Sequence, residues 1–317
     1  MRIAAGVRQS HLIGIGGYGM SALARLLHGL GARVSGSDLC ESRRVHELRE
    51  LGVDVRIGHS AENLRLDRGQ IIYSAAVPDD CPELISARQR GLPCFLYSEA
   101  VGRLSEEVRT LAIAGTHGKT STTALTVAAL RAAGMDPSFL IGGEVPCLAG
   151  NGYGGGSELL VVEACEFNRS FHELRPAHAA ILNVERDHFD CYPSREALEE
   201  SFALYANKLR PGGSLLLHET VPDSVVDCLP QNIAVIRIGS GLFADLRALD
   251  VAESFGRFAF TPSWDGGRLP RVDLKLLGAF QVWNALFALG LAIQAGAEPE
   301  RACHGLVSFD GVERRFQ

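Results

Sequence analysis

The chain has 317 residues, which at roughly 150 residues per domain points to two domains. Hydrophobic residues make up 46% and charged residues 21%, a balance that supports packed cores and excludes a disordered chain or a disulfide-stapled miniprotein. The net charge of −6 excludes a globally basic surface for nucleic acid. From the N-terminus, His11–Ile15 reads as a strand, followed by glycines and a helix over Met20–Leu30. Ala32–Gly36 is the next strand, Ser42–Leu51 a helix, and Gln70–Ser74 and Pro93–Tyr97 are further strand-like runs. A polar, charged stretch over Gly102–Val108 interrupts the pattern, and the domain boundary is expected there.

The alternation then restarts. Thr110–Ala114 reads as a strand and Lys119–Gly134 as a helix ended by its glycine. Leu159–Ala164 and Ala179–Val184 are continuous apolar runs, suited to strands buried on both faces. Ser194–Leu209 reads as a helix with Ser194 as its N-cap, and Ser214–Leu217 and Ile233–Ile238 extend the sheet. Gly256–Thr261 and Arg271–Leu277 alternate as antiparallel edge strands would; Phe280–Ala295 and Glu298–Val307 are helical. Strands alternating with helices throughout predict an α/β fold with mainly parallel sheets.

The most apolar run, Ala285–Ile293, is too short to span a bilayer, and no secretory h-region is visible. No membrane partner is expected. None of the eight cysteines lies within four residues of another, so there is no CxxC metal or redox pair. Scattered thiols fit a reducing cytoplasm.

Two glycine-rich loops carry the chemistry. Gly14-Ile15-Gly16-Gly17-Tyr18-Gly19 is a G-x-G-x-x-G between a strand and a helix, with Asp38 ending the next strand. Such glycines let the backbone approach a diphosphate at a helix N-terminus, and the acid suits ribose hydroxyls. Which nucleotide is held is not encoded in the glycines. The second loop is Gly115-Thr116-His117-Gly118-Lys119-Thr120. It is similar to a Walker A loop, with Lys119 for the β/γ-phosphates of ATP and the Thr120 hydroxyl for Mg²⁺, although Ile113 stands where the first glycine belongs. An NAD-dependent oxidoreductase would leave the second loop idle, and a simple ATPase the first. A ligase or kinase with a nucleotide-linked substrate uses both. Glu163 ends a buried strand, Glu166 follows closely, and His188 ends the next strand in Asn183-Val184-Glu185-Arg186-Asp187-His188. Carboxylate oxygen suits Mg²⁺, whereas nitrogen is not a favoured ligand.

Together these motifs resemble the Mur ligase family, which adds amino acids to the peptidoglycan precursor, and most of all its alanine-adding branch. The resemblance extends from the first loop through Met20-Ser21, Gly36-Ser37-Asp38, Gly58-His59 and Tyr73-Ser74-Ala75-Ala76-Val77-Pro78. It continues at Gly115–Thr123, Glu163 to Glu166, Asn183–His188 and Phe309–Phe316. It implies a Rossmann-like UDP-sugar domain over residues 1–105, a central P-loop ATP-binding domain over 106–310 and a hinge at 311–317. Gly16, Gly17 and Gly19 would approach the diphosphate of UDP-N-acetylmuramate, with Asp38, His59 and Ser74 near the uridine and Glu166 on the sugar side. Gly115 to Thr120 would cradle ATP, with Asn284 at the adenine and Arg315 at the phosphates. Lys119, Glu163 and His188 would be catalytic; Thr120, Glu163 and His188 would hold Mg²⁺. The implied reaction joins L-alanine to the muramoyl carboxylate through an acyl phosphate, with ATP consumed and no protein nucleophile.

Several positions depart from the family pattern. Cys165 and Asn168 replace acids, Phe280-Gln281 stands for a His-Asn pair, and Lys208 is too far from His188 for the carbamylated lysine of sister enzymes. The family also has a third, Rossmann-like domain, whereas this sequence ends at Gln317. The expectation is therefore a chain carrying the first two domains that turns over poorly alone. A recycling ligase that attaches a peptide to UDP-N-acetylmuramate and a non-catalytic UDP-sugar-binding module are the alternative readings.

Overall fold

A computed structural model describes residues 8–148, 150–185, 192–227 and 229–311. The first part contains β1 (Gln9–Ile13), α1 (Tyr18–Gly29), β2 (Arg33–Asp38), α2 (Arg43–Glu50), β3 (Asp54–Ile57), β4 (Gln70–Tyr73), α3 (Pro82–Gln89), β5 (Cys94–Leu96) and α4 (Tyr97–Glu107). The next contains β6 (Arg109–Ala114), α5 (Lys119–Ala132), β7 (Ser138–Leu140), β8 (Gly152–Tyr153), β9 (Leu159–Glu163), β10 (His178–Ile181) and α6 (Arg195–Ala206). The last contains β11 (Ser214–His218), β12 (Ala234–Gly239), β13 (Leu246–Ser254), β14 (Arg257–Trp264), β15 (Gly267–Arg268), β16 (Val272–Leu277), α7 (Phe280–Gln294) and α8 (Pro299–Ser308).

The first five strands form a parallel sheet in the order β3-β2-β1-β4-β5. The order reverses beside β1, so the crevice between the carboxyl ends of β1 and β4 is a topological switch point. The other eleven strands form a second sheet, β15-β14-β13-β12-β11-β10-β6-β9-β7-β8, with β16 paired to β14. Strands β7, β9, β6, β10, β11, β12 and β13 are parallel neighbours, while β14 and its partners are antiparallel. The edge strands expected from alternation are therefore antiparallel, as their sequences indicate.

Burial on both faces explains the continuous apolar runs. Along β6, Ala112 and Ala114 face the core shared with the first sheet, whereas Leu111 and Ile113 face α5, α7 and α8. Val162 and Ile181 join the first of these cores; Val161 and Ala180 join the second. Helix α7 is buried along most of its length, as its apolar composition demands.

One reading is corrected, and two elements carry no clear sequence signal. The polar pause at Gly102–Val108 is not a loop: residues through Glu107 belong to α4, which buries Ala100, Val101 and Leu104 and exposes its acids. A division near residue 106 thus falls at the end of a helix. Strand β3 and helix α3 were not legible, because β3 buries only Val55 and α3 buries a glutamate, Glu83, beside Leu84 and Ala87. The N-cap of α6 is as expected, with Ser194 accepting from Ala197 N.

The two sheets meet through α1, which lies against β7 and β8. Glycine is required there: a Cβ on Gly152 would lie 2.0 Å from Ala22 O, and one on Gly154 2.6 Å from Leu26 O. Asn151 Nδ2 donates to Tyr18 O at 2.9 Å across the same contact. Among the described residues no helix is long and apolar enough to cross a membrane.

Candidate functional site

The first loop leaves β1 at Gly14, whose φ of +79° favours glycine. Gly14 N and Ile15 N both donate to Ser37 O, at 2.8 and 3.0 Å. Gly16 N donates to Asp38 Oδ2 at 2.8 Å, and a Cβ on Gly16 would lie 2.9 Å from that same oxygen. Asp38 therefore braces the loop backbone. Arg44 closes the other side: its Nε donates to Gly16 O at 2.6 Å and its guanidinium stacks 3.9 Å from the Tyr18 ring centroid. Helix α1 starts behind Gly17 with no side-chain cap and no acid in its first turn, which suits an anion at its N-terminus.

Ser74 lies across the switch-point crevice, since a Cβ on Gly14 would approach Ser74 Cβ to 3.2 Å. His59 follows β3 on the same sheet edge as Asp38, with Nδ1 at 3.0 Å from Ser37 Oγ and 3.1 Å from Glu83 Oε1. Four strands thus bring Gly16, Asp38, His59 and Ser74 to one edge.

In the second sheet, β9, β6 and β10 run parallel, so the segments after them emerge together. Gly115 and Gly118 take φ values of +141° and +85°, and a Cβ on Gly118 would lie 2.6 Å from Asn284 Oδ1. Lys119 Nζ donates to Gly115 O at 2.6 Å, Thr116 O at 3.1 Å and Glu166 Oε1 at 2.9 Å. Glu166 is buried, and its backbone oxygen accepts from Tyr192 Oη at 2.6 Å. Thr120 Oγ1 donates to Glu163 Oε1 at 3.1 Å, and Gly142 N donates to Glu163 Oε2 at 2.8 Å. Asn183 grips the loop in both directions: His117 N donates to its Oδ1 at 2.9 Å, and its Nδ2 donates to His117 O at 3.1 Å.

A cleft of about 510 Å³ opens beside this loop, lined by Gly118, Asn183, His218, Phe280, Trp283 and Asn284 among others. That size accommodates a nucleoside. His218 meets Trp283 edge to face at 5.2 Å, and burial lowers its pKa, which favours the neutral ring. Tyr97 touches the first loop and lies within electrostatic reach of Glu163 of the second site. It packs on Gly19, and its phenol pKa is pushed up by burial and then by the nearby Glu163 carboxylate.

The description "Mur ligase family, catalytic domain" matches residues 9–109, and "Mur ligase middle domain" matches residues 113–292. The chain belongs to the Mur ligase family. This Mur ligase is 39% identical over 312 residues to a UDP-N-acetylmuramate–L-alanine ligase of Nitratidesulfovibrio vulgaris, covering 98% of this chain and 68% of that one. Its fold is similar to the MurC crystal structure from Thermotoga maritima, described as a UDP-N-acetylmuramate-alanine ligase, with a TM-score of 0.78 and 28% identity over 97% of this chain and 70% of that one. It is also similar to a UDP-N-acetylmuramate:L-alanyl-gamma-D-glutamyl-meso-diaminopimelate ligase from Neisseria meningitides, with a TM-score of 0.84 and 26% identity over 97% of this chain and all of that one.

Within this Mur ligase, Lys119, Thr120, Glu163 and Glu166 converge on one loop. Asn284 lies close by, but its amide is already engaged: Thr122 Oγ1 donates to Oδ1 at 3.2 Å and Nδ2 donates to Gln281 Oε1 at 3.0 Å. Asn168, where the family pattern has an acid, adopts φ +50°, a conformation asparagine tolerates well. His188 and Arg315 lie outside the described residues. Sequence reasoning missed Glu83, His11 and Trp283 as members of site surroundings. Glu83 meets His11 across 72 positions, and no local spacing signals that pairing.

Proposed function

We propose that this chain carries the nucleotide-sugar and ATP sites of a ligase that joins L-alanine to the carboxylate of UDP-N-acetylmuramate in peptidoglycan synthesis, through an acyl phosphate. The reading rests on one juxtaposition above all: Tyr97 packs on Gly19 of the lysine-free loop and feels the charge of Glu163, the acid that meets Thr120 of the lysine-bearing loop. A ligase with a UDP-linked substrate needs both.

In this reading the first loop holds the UDP diphosphate by backbone N–H groups and the α1 N-terminus. Gly16, Gly17 and Gly19 allow the close approach, and Asp38, His59 and Ser74 line the nucleoside side. The second loop takes the ATP phosphates. Lys119, at present neutralised by Glu166, supplies positive charge where the muramoyl carboxylate must meet a highly charged triphosphate. Thr120 and Glu163 offer two hard oxygen atoms 3.1 Å apart, a fit for Mg²⁺ held otherwise by phosphate and water. The ion would neutralise phosphate charge. The amine of alanine then attacks the activated acyl carbon and phosphate leaves, with no protein nucleophile required. Asn284, held by Thr122 and Gln281, lines the cleft that would take the adenine.

The test is phosphate release from ATP dependent on both UDP-N-acetylmuramate and L-alanine, measured on the protein with a Lys119→Ala control. Release that depends on neither added substrate overturns the reading. The fold similarity to the Neisseria enzyme supports a second reading, attachment of a peptide in place of alanine. Comparing alanine with a tripeptide as acceptor separates the two.

A further inference from the structure

The first domain buries a carboxylate that the proposed reaction does not use. Glu83 is fully buried, and four groups converge on it. His11 Nε2 and Ser37 Oγ meet Oε2 at 2.6 and 2.9 Å; His59 Nδ1 and Asn63 Nδ2 meet Oε1, both at 3.1 Å. A buried carboxylate is expensive unless its acceptor sites are filled, and here they are. Burial by itself raises the Glu83 pKa, but the hydrogen bonds from His11, Ser37 and Asn63 outweigh it and hold the group below its ordinary value. An ionised carboxylate only accepts. With the Ser37 hydroxyl donating to Oε2, the arrangement favours a proton on the nitrogen of each histidine that faces the carboxylate: Nε2 of His11, and Nδ1 of His59, which also lies 3.0 Å from Ser37 Oγ.

His11 is wholly interior, with Nδ1 at 3.0 Å from Ser35 Oγ, whereas the His59 side chain is 12% exposed. His59 is thus the histidine of this network that reaches the surface. Its backbone is tied down as well. Asn63 Nδ2 also donates to Gly58 O at 2.9 Å, and Gly58 N donates to Asp38 O at 2.8 Å. The network therefore runs from Glu83 to the acid that braces Gly16.

We propose that Glu83 is a positioning residue for nucleoside recognition. It holds His59 with its proton on Nδ1, so that Nε2 accepts a hydrogen bond from a donor group of the bound nucleoside. This rests on the reading of the first loop as a UDP site. In uridine the donors are the base N3–H and the ribose hydroxyls, so the arrangement favours a ligand that offers one and disfavours its analogue without it. Tautomer selection by the partner of the other ring nitrogen is the physical device.

The experiment is calorimetric titration of the full chain with UDP, CDP (no N3–H) and 2′-deoxy-UDP, in wild type and Glu83→Gln, with melting temperature and ATP affinity measured alongside. Wild type is expected to bind UDP about tenfold tighter than one of the two analogues. Glu83→Gln is expected to lose about tenfold in UDP affinity and most of that discrimination, with ATP affinity unchanged. Imidazole ¹⁵N spectra of the wild type give a second readout that does not depend on the variant folding. They should show His59 with Nδ1 protonated and an Nε2 signal that shifts on adding UDP. An Nε2–H tautomer or an imidazolium at neutral pH overturns the inference. So does a Glu83→Gln protein that melts lower yet discriminates as before, because that result is purely structural. If wild type does not bind UDP at all, the functional reading fails and takes this inference with it.

Discussion

The two glycine loops share a strand–loop–helix geometry but differ in how they handle charge. The Gly14–Gly19 loop has no lysine. It is braced by the Asp38 carboxylate and closed by Arg44 stacked on Tyr18. The Gly115–Thr120 loop carries Lys119 inward, against buried Glu166, and sets Thr120 on Glu163. On the proposed reading, the difference follows from what each phosphate must do. A diphosphate that is only held can be met by backbone N–H groups and a helix N-terminus. A phosphoryl group that is transferred builds charge in the transition state and needs a cation and a metal aimed at it.

The largest test of that contrast is Lys119→Ala. It should lower alanine-dependent phosphate release by about 10²–10³-fold, in the range of removing one positioned electrostatic donor. UDP binding, measured by calorimetry, should stay within about twofold, because the first loop does not use this cation. Equal damage at both loops would erase the distinction. Gly16→Val is the reciprocal change. Its Cβ would sit 2.9 Å from Asp38 Oδ2, and overpacking of that kind costs about 1–3 kcal/mol; if the loop bears that cost on binding, UDP affinity should drop about 5–150-fold with ATP affinity preserved.

The smallest expected effect is at the opposite edge of the second sheet. His178 begins β10, far along the strand from Asn183, and its pKa is pulled down to about 4 by burial and then by Arg109. Its Nδ1 is 2.8 Å from Ser214 Oγ, and Arg109 Nη2 is 3.3 Å from Nε2. The unfolded chain binds this proton more readily than the folded one, from the ordinary value of 6.5 down to about 4. Stability should therefore fall as pH drops through that window and level off below it. His178→Gln should flatten the dependence by about 1–2 kcal/mol, as read from urea unfolding at pH 4 and 7. Nucleotide affinities at pH 7 should not change.

Both loops were legible because their glycines and Lys119 are contiguous and sit between an apolar run and a helix. Strands β6, β9, β10 and β11 were legible because burial on both faces forces continuous apolar sequence. Helix α4 was mistaken for a pause, since only one of its faces is apolar and its last turn is acidic. Glu83 was invisible for a different reason. It lies in a short helix of weak amphipathic pattern, and its meaning depends on residues 72, 46, 24 and 20 positions away.

Local chemistry in the sequence determined which backbone segments can approach phosphate and where a lysine and a threonine enter a helix. It also determined that the chain builds parallel α/β sheets, because strand and helix periodicities are short-range properties. Only the tertiary structure decided that Lys119 is neutralised by Glu166, that Tyr97 packs on Gly19, and that His59 is held by a buried carboxylate. Those pairings join segments far apart in the chain, so they arise from strand order and burial, and no local pattern encodes them.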